Sequence, residues 1–133
     1  MNKNISTQIP LWHQFIETKN AQILYELLAD DVKFHSPFVW KPKHGKVMAT
    51  AILTTVTEVF RDFHYIREIS DGNLICLEFA GRVGEFDLRG VDIIEFDKDG
   101  KIIDFEVMIR PANALQKLGA EMTERLTEKG YLK

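Results

Sequence analysis

The chain has 133 residues, 45% hydrophobic and 28% charged, the size and balance of one globular unit with its own core. A net charge of −3 with interspersed signs offers no basic stripe for nucleic acid, and no apolar run approaches a membrane span. A single cysteine, Cys76, excludes an internal disulfide, and the opening MNKNISTQIP lacks the apolar region of a signal peptide, so a cytoplasmic location is expected.

Ser6 or Thr7 can cap a first helix with Pro10 in its first turn. Ile9, Trp12 and Ile16 recur at helical spacing, and Leu11 and Phe15 widen the stripe. Asn20 caps a second helix expected over 21–29, which Asp30-Asp31 ends. A short strand over 32–34 stops at Ser36-Pro37, because proline cannot donate to a ladder. The loop 38–44 carries two aromatics, Phe38 and Trp40. Gly45 precedes a third helix whose apolar face is Met48, Ile52, Val56, Val59 and Phe60.

Four strands follow, over 63–69, 74–83, 86–96 and 101–109. Asp71-Gly72 and Asp97-Lys98-Asp99-Gly100 are the turns between them, and Gly81 and Gly84 mark a bend. The second turn opens like a calcium loop, but no glutamate follows in a helical frame, so it reads as a hairpin. Pro111 opens a last helix with the stripe Ala114, Leu115, Leu118, Met122 and Leu126, and Gly130 ends it. Helices and strands are segregated, which indicates an α+β fold. A strongly curved antiparallel sheet wrapped on the N-terminal helices, bent at Gly81, Gly84 and Gly90, would make a cone with an extra C-terminal helix.

Several stretches carry a resemblance: Leu28-Ala29-Asp30-Asp31, then Phe34-His35-Ser36-Pro37, then His44-Gly45-Lys46, and the run from Val91 to Ile102. In order and spacing, over residues 11–109, they resemble the nuclear transport factor 2-like superfamily and its SnoaL-like and ketosteroid isomerase-like branch. The resemblance implies one SnoaL-like domain over 1–133 and a homodimer through the outer sheet face. It also implies an apolar pocket for a small hydrophobic molecule.

Asp92 is the first candidate for chemistry. Strand alternation puts Leu88, Gly90, Asp92, Ile94 and Phe96 on one face, and Asp87, Arg89, Val91, Ile93 and Glu95 on the other. Asp92 therefore shares the apolar face, where desolvation raises a carboxyl pKa. The resemblance gives it the role of a protonated hydrogen-bond donor to an oxyanion. The alternative is a structural carboxylate paired with an arginine or a backbone group.

Ser36 stands where ketosteroid isomerases place an aspartate base, and Trp12 where they place a supporting tyrosine. Isomerisation by that mechanism is therefore not expected. A histidine could replace the base, ranked His35, His13, His44, although alternation turns His35 away from Phe34. Further pocket lining is expected from Phe15, Phe34, Trp40, Phe60, Leu77, Phe79, Leu88, Ile94, Phe105, Val107 and Ile109, together with Trp12, Ser36 and His44. The same residues could equally fill a solid core.

No spacing suits a metal or a cofactor phosphate, and none is expected. Two readings stand: an isomerase, cyclase or dehydratase acting through Asp92, or a non-catalytic ligand-binding or protein-interaction dimer.

Overall fold

The structure, a computed structural model, describes residues 5–132. Among these, four helices and six strands follow the order α1 (Ile5–Thr18), α2 (Ala21–Leu27), β1 (Leu28–His35), β2 (Lys43–His44), α3 (Lys46–Val59), β3 (Arg61–Asp71), β4 (Leu74–Val83), β5 (Phe86–Phe96), β6 (Ile102–Arg110) and α4 (Ala112–Glu128). The strands form one open sheet in the order β2-β1-β6-β5-β4-β3. Every neighbouring pair is antiparallel except β1 and β6, which run parallel. The fold is α+β, four helices packed on one open mixed sheet. No described helix is long and apolar enough to cross a membrane.

Local chemistry explains most boundaries. The Asn20 side chain accepts the Gln22 N–H at 3.0 Å and starts α2. Gly45, at φ 94, precedes α3 in a conformation that side chains disfavour. Asp97 Oδ1 accepts the N–H groups of Asp99 (2.8 Å) and Lys101 (2.9 Å), which closes the β5–β6 turn. Gly84, at φ 57, sits between the paired Val83 and Phe86 in a two-residue hairpin.

Several boundaries differ from expectation: β1 is longer than 32–34, Lys43–His44 of the expected loop form β2, and the ends of β3 and β6 move by one or two residues. Ser6 and Thr7 lie within α1, which begins at Ile5, so neither is its cap and Pro10 falls well inside the helix. α2 ends at Leu27, and Leu28 already pairs with Ile102 in the sheet. Leu27, Leu28 and Ala29 are all buried, so an apolar run compatible with either element is decided by pairing with β6.

β5 alternates as its sequence requires: Leu88, Asp92, Ile94 and Phe96 are buried, and Asp87 and Arg89 are exposed. Gly90 on the same inner face has a specific purpose. A Cβ there would strike the Phe79 ring and come within 2.6 Å of the Met108 carbonyl oxygen. Its absence lets Phe79 lie across β5 where the sheet curves.

Apolar packing forms two clusters. One gathers α1, α2, β1 and the lower sheet around Trp12, Phe15, Leu24, Phe34, Ile94 and Phe105. The other joins α3 and α4 to the sheet through Ala51, Val59, Phe79, Leu88, Leu118 and Met122. Each fully buried Leu or Phe contributes about 1.5–3 kcal/mol. The space between the clusters is the cavity.

Candidate functional site

The cavity encloses about 630 Å³. That suits a small organic molecule, since ligand pockets span roughly 300–1,000 Å³. α1 contributes Trp12, Phe15 and Ile16, and α3 contributes Met48, Ile52, Val56 and Thr57. The sheet adds Phe34, Phe79, Asp92, Val107 and Ile109, and α4 adds Leu118, Met122 and Leu126. The segment Ser36–Val39 closes one side, where Phe38 lies against Gly119 of α4. A Cβ on Gly119 would meet the Phe38 ring at 3.1 Å.

Asp92 is the buried acid of this wall, 6% exposed. β5 supplies it from the inner face, in register with Leu77 of β4 and Val107 of β6. Tyr65 of β3 reaches over β4 and donates its hydroxyl proton to Asp92 Oδ2 at 3.1 Å. The Tyr65 oxygen accepts the Trp12 indole N–H at 2.9 Å. The chain Trp12, Tyr65, Asp92 thus joins α1, β3 and β5 in one directed series of hydrogen bonds. Edge-on contacts with Phe63 (5.1 Å), His13 (5.3 Å) and Phe79 (6.4 Å) fix the Tyr65 ring.

Burial dominates the electrostatics. Desolvation lifts the Asp92 pKa from 3.8 to about 7, against the opposing pull of the Tyr65 hydrogen bond. Tyr65 is pushed well above its usual value, first by burial and then by the Asp92 charge. At neutral pH the phenol is protonated and Asp92 is divided between its acid and base forms. Among the described residues the Asp92 carboxyl has no hydrogen-bond partner other than Tyr65.

Tyr65 was not among the residues singled out from sequence. Its signal was parity: it lies two residues beyond Phe63, and both point inward. Trp12, Phe15, Phe34, Ser36, Phe60, Phe79, Val107 and Ile109 lie on the cavity wall. Ser36 Oγ accepts the Phe38 N–H at 3.2 Å, so it also shapes the loop.

Other candidates stand elsewhere. Leu77, Leu88, Ile94 and Phe105 face inward but are buried in the two clusters, where side chains fill the space. Phe105, for example, packs against Trp12 at 5.1 Å and Phe34 at 5.7 Å. Trp40 is 96% exposed and touches no cavity wall. A loop has no periodicity from which its direction could be read.

None of the ranked histidines lines the cavity. His35 alternates with buried Phe34 and bonds Asp104 at 3.1 Å. His13 bonds Glu68 at 2.8 Å and meets Tyr65 only by its ring edge. His44 pairs with Lys33 in the β1–β2 ladder, and the adjacent Lys43, opposite Phe34, takes the cavity side.

Residues 11–105 match the model of the SnoaL-like domain. No curated protein matches the chain. Among solved structures, a steroid delta-isomerase from Pseudomonas aeruginosa is 44% identical, with a TM-score of 0.92 over 97% of this chain and 96% of that one. An uncharacterised bacterial protein with a cystatin-like fold from Silicibacter pomeroyi is 34% identical, with a TM-score of 0.86 over 90% and 85%. IdmH from Streptomyces antibioticus, a candidate polyketide cyclase, shares the fold at 16% identity, with a TM-score of 0.69 over 88% and 99%.

Proposed function

The chain belongs to the SnoaL-like domain family, and on that premise we propose that it is an acid–base enzyme acting on an apolar carbonyl compound bound in the cavity. The reaction is of the isomerase, cyclase or dehydratase kind, and these share a first step, removal of a proton from the carbon next to the carbonyl. Asp92 takes that proton in its carboxylate form and returns it to another atom as the acid. The observation that carries this reading is a buried carboxyl with a pKa of about 7, held by a phenol that is itself oriented by an indole. Oδ2 belongs to Tyr65, which leaves Oδ1 for the substrate.

A single carboxyl in both roles also fits the site without a second base. Ser36 lacks the basicity, His35 and His13 are bonded to carboxylates, and none of the three ranked histidines lines the cavity. That same lack supports a second reading, a non-catalytic carrier of an apolar ligand. We further propose a homodimer through the outer sheet face and a cytoplasmic location. Half-buried Val91 and Ile93, with exposed Ile66, Ile69 and Met108, supply an apolar component on that face.

The test is hydrogen–deuterium exchange into a β,γ-unsaturated cyclic ketone, followed by proton NMR in heavy water. The native protein is expected to accelerate exchange, with a rate that rises to a plateau above about pH 7 as Asp92 ionises. Asp92→Asn should lose about 100-fold or more, the usual scale of general-base catalysis. Tyr65→Phe removes the bond that lowers the Asp92 pKa and should move the midpoint to higher pH. Exchange no faster with the native protein than with Asp92→Asn would leave the carrier reading.

A further inference from the structure

The polar groups of the cavity wall are unevenly distributed. Asp92 is buried in the wall and linked to Trp12 through Tyr65, whereas two exposed cations, Lys19 and Lys43, stand at the rim. Lys19 follows α1 with a positive φ of 60, and its N–H bonds the Phe15 carbonyl at 2.7 Å. It lies seven residues beyond Trp12, which is about 10 Å along the helix axis. Lys43 pairs with Phe34 across β1 and β2 and so shares its inward face. The sheet order places β2 three strands from β5, about 14 Å at the usual spacing.

Neither lysine has an ion-pair or hydrogen-bonding side-chain partner among the described residues. Lys46, by contrast, engages Asp30 at 3.4 Å and the Tyr25 ring at 4.1 Å. The rim carboxylate, Asp62, faces Arg82 at 3.7 Å. The segment from Phe38 to Gly45 that supplies Lys43 contains no acidic residue. An apolar chamber therefore has a carboxyl with an elevated pKa in its wall and two uncompensated cations at its mouth.

We infer that the ligand is amphipathic, with an apolar body in the cavity and an anionic group at the rim, held by Lys19 and Lys43. A carboxylate, sulfonate or phosphate monoester would meet the same chemistry. The inference rests on the small-molecule reading above, and it narrows the substrate to apolar acids whose charge lies at the far end of the molecule from the reacting carbon. Lysine suits this task as a flexible point charge that makes no geometric demand on the anion.

Two fluorescent probes with closely related ring systems separate the possibilities: anilinonaphthalene sulfonate, which is anionic, and N-phenyl-naphthylamine, which is uncharged. Each is titrated at low salt into the native protein, the double variant Lys19→Gln with Lys43→Gln, and the distant control Lys98→Gln. The sulfonate should bind the native protein about tenfold more tightly than the uncharged probe, as two exposed charge pairs near the top of their range would give. The double variant should lose that preference while binding the uncharged probe unchanged, and Lys98→Gln should retain it. Equal affinities in the native protein, or a preference that survives in the double variant, overturns the inference and leaves the cavity reading intact. Binding of neither probe overturns the cavity reading itself.

Discussion

Asp92→Asn should make the protein more stable at neutral pH and leave it nearly unchanged in acid. The Asp92 carboxyl ionises near 3.8 when unconstrained and near 7 in the fold. Folding therefore favours its protonated form, and between those values the native state binds more protons than the unfolded chain. Stability that is fully present below about pH 4 is lost as pH rises toward 7. A displacement of about three pH units, at about 1.4 kcal/mol each, makes the full cost about 4 kcal/mol. Domains are commonly stable by only about 5–15 kcal/mol, so this is a large share. Asparagine does not titrate, keeps the shape, and still offers Tyr65 an acceptor oxygen. Urea unfolding of both proteins from about pH 4 to pH 8 measures the effect. The two stability curves should diverge steadily in favour of the variant up to about pH 7 and then run parallel. Curves that stay within about 1 kcal/mol of a constant separation would show that Asp92 is not buried as an acid, and the acid–base proposal would lose its basis.

Two other substitutions probe the scaffold. Gly90→Ala drives a methyl group against the Phe79 ring and the Met108 carbonyl, and should cost about 2 kcal/mol or more as measured by urea unfolding. A variant as stable as the native protein would mean that the sheet relaxes freely at this bend. Val91→Lys or Ile93→Lys places a charge in the middle of the outer sheet face and should yield monomers by sedimentation, with the fold retained by circular dichroism. A dimer that persists in both variants would move the interface elsewhere.

The strands were legible because alternation and turn chemistry agree. Over 74–83 and 86–96 one parity is apolar save for two glycines and Asp92, and the bounds match β4 and β5. The junction of α2 and β1 was not legible, because Leu27, Leu28 and Ala29 satisfy either period and only pairing with Ile102 decides between them. Asp92 could be placed by parity alone. Tyr65 could not be assigned a partner, since its bond to Asp92 spans β4 and depends on how the sheet curves. Cavity walls are hidden for a related reason. Met48, Ile52 and Val56 read as an ordinary core stripe, but they line open space, and the buried residues of α3 are Ala49, Ala51, Leu53, Thr55 and Val59. Periodicity gives the direction of a side chain and says nothing of whether its space is filled.

The two tryptophans of the chain occupy opposite environments. Trp12 is 2% exposed and bonded through Tyr65 to Asp92, while Trp40 is 96% exposed. Their emission should therefore separate by colour and by quenching, with iodide silencing the red-shifted Trp40 and sparing the indole inside. The light that remains comes from a fluorophore two hydrogen bonds away from the ionising carboxyl. The protein carries its own optical reporter of the proton on Asp92, and it can be read without a label, a substrate or a substitution.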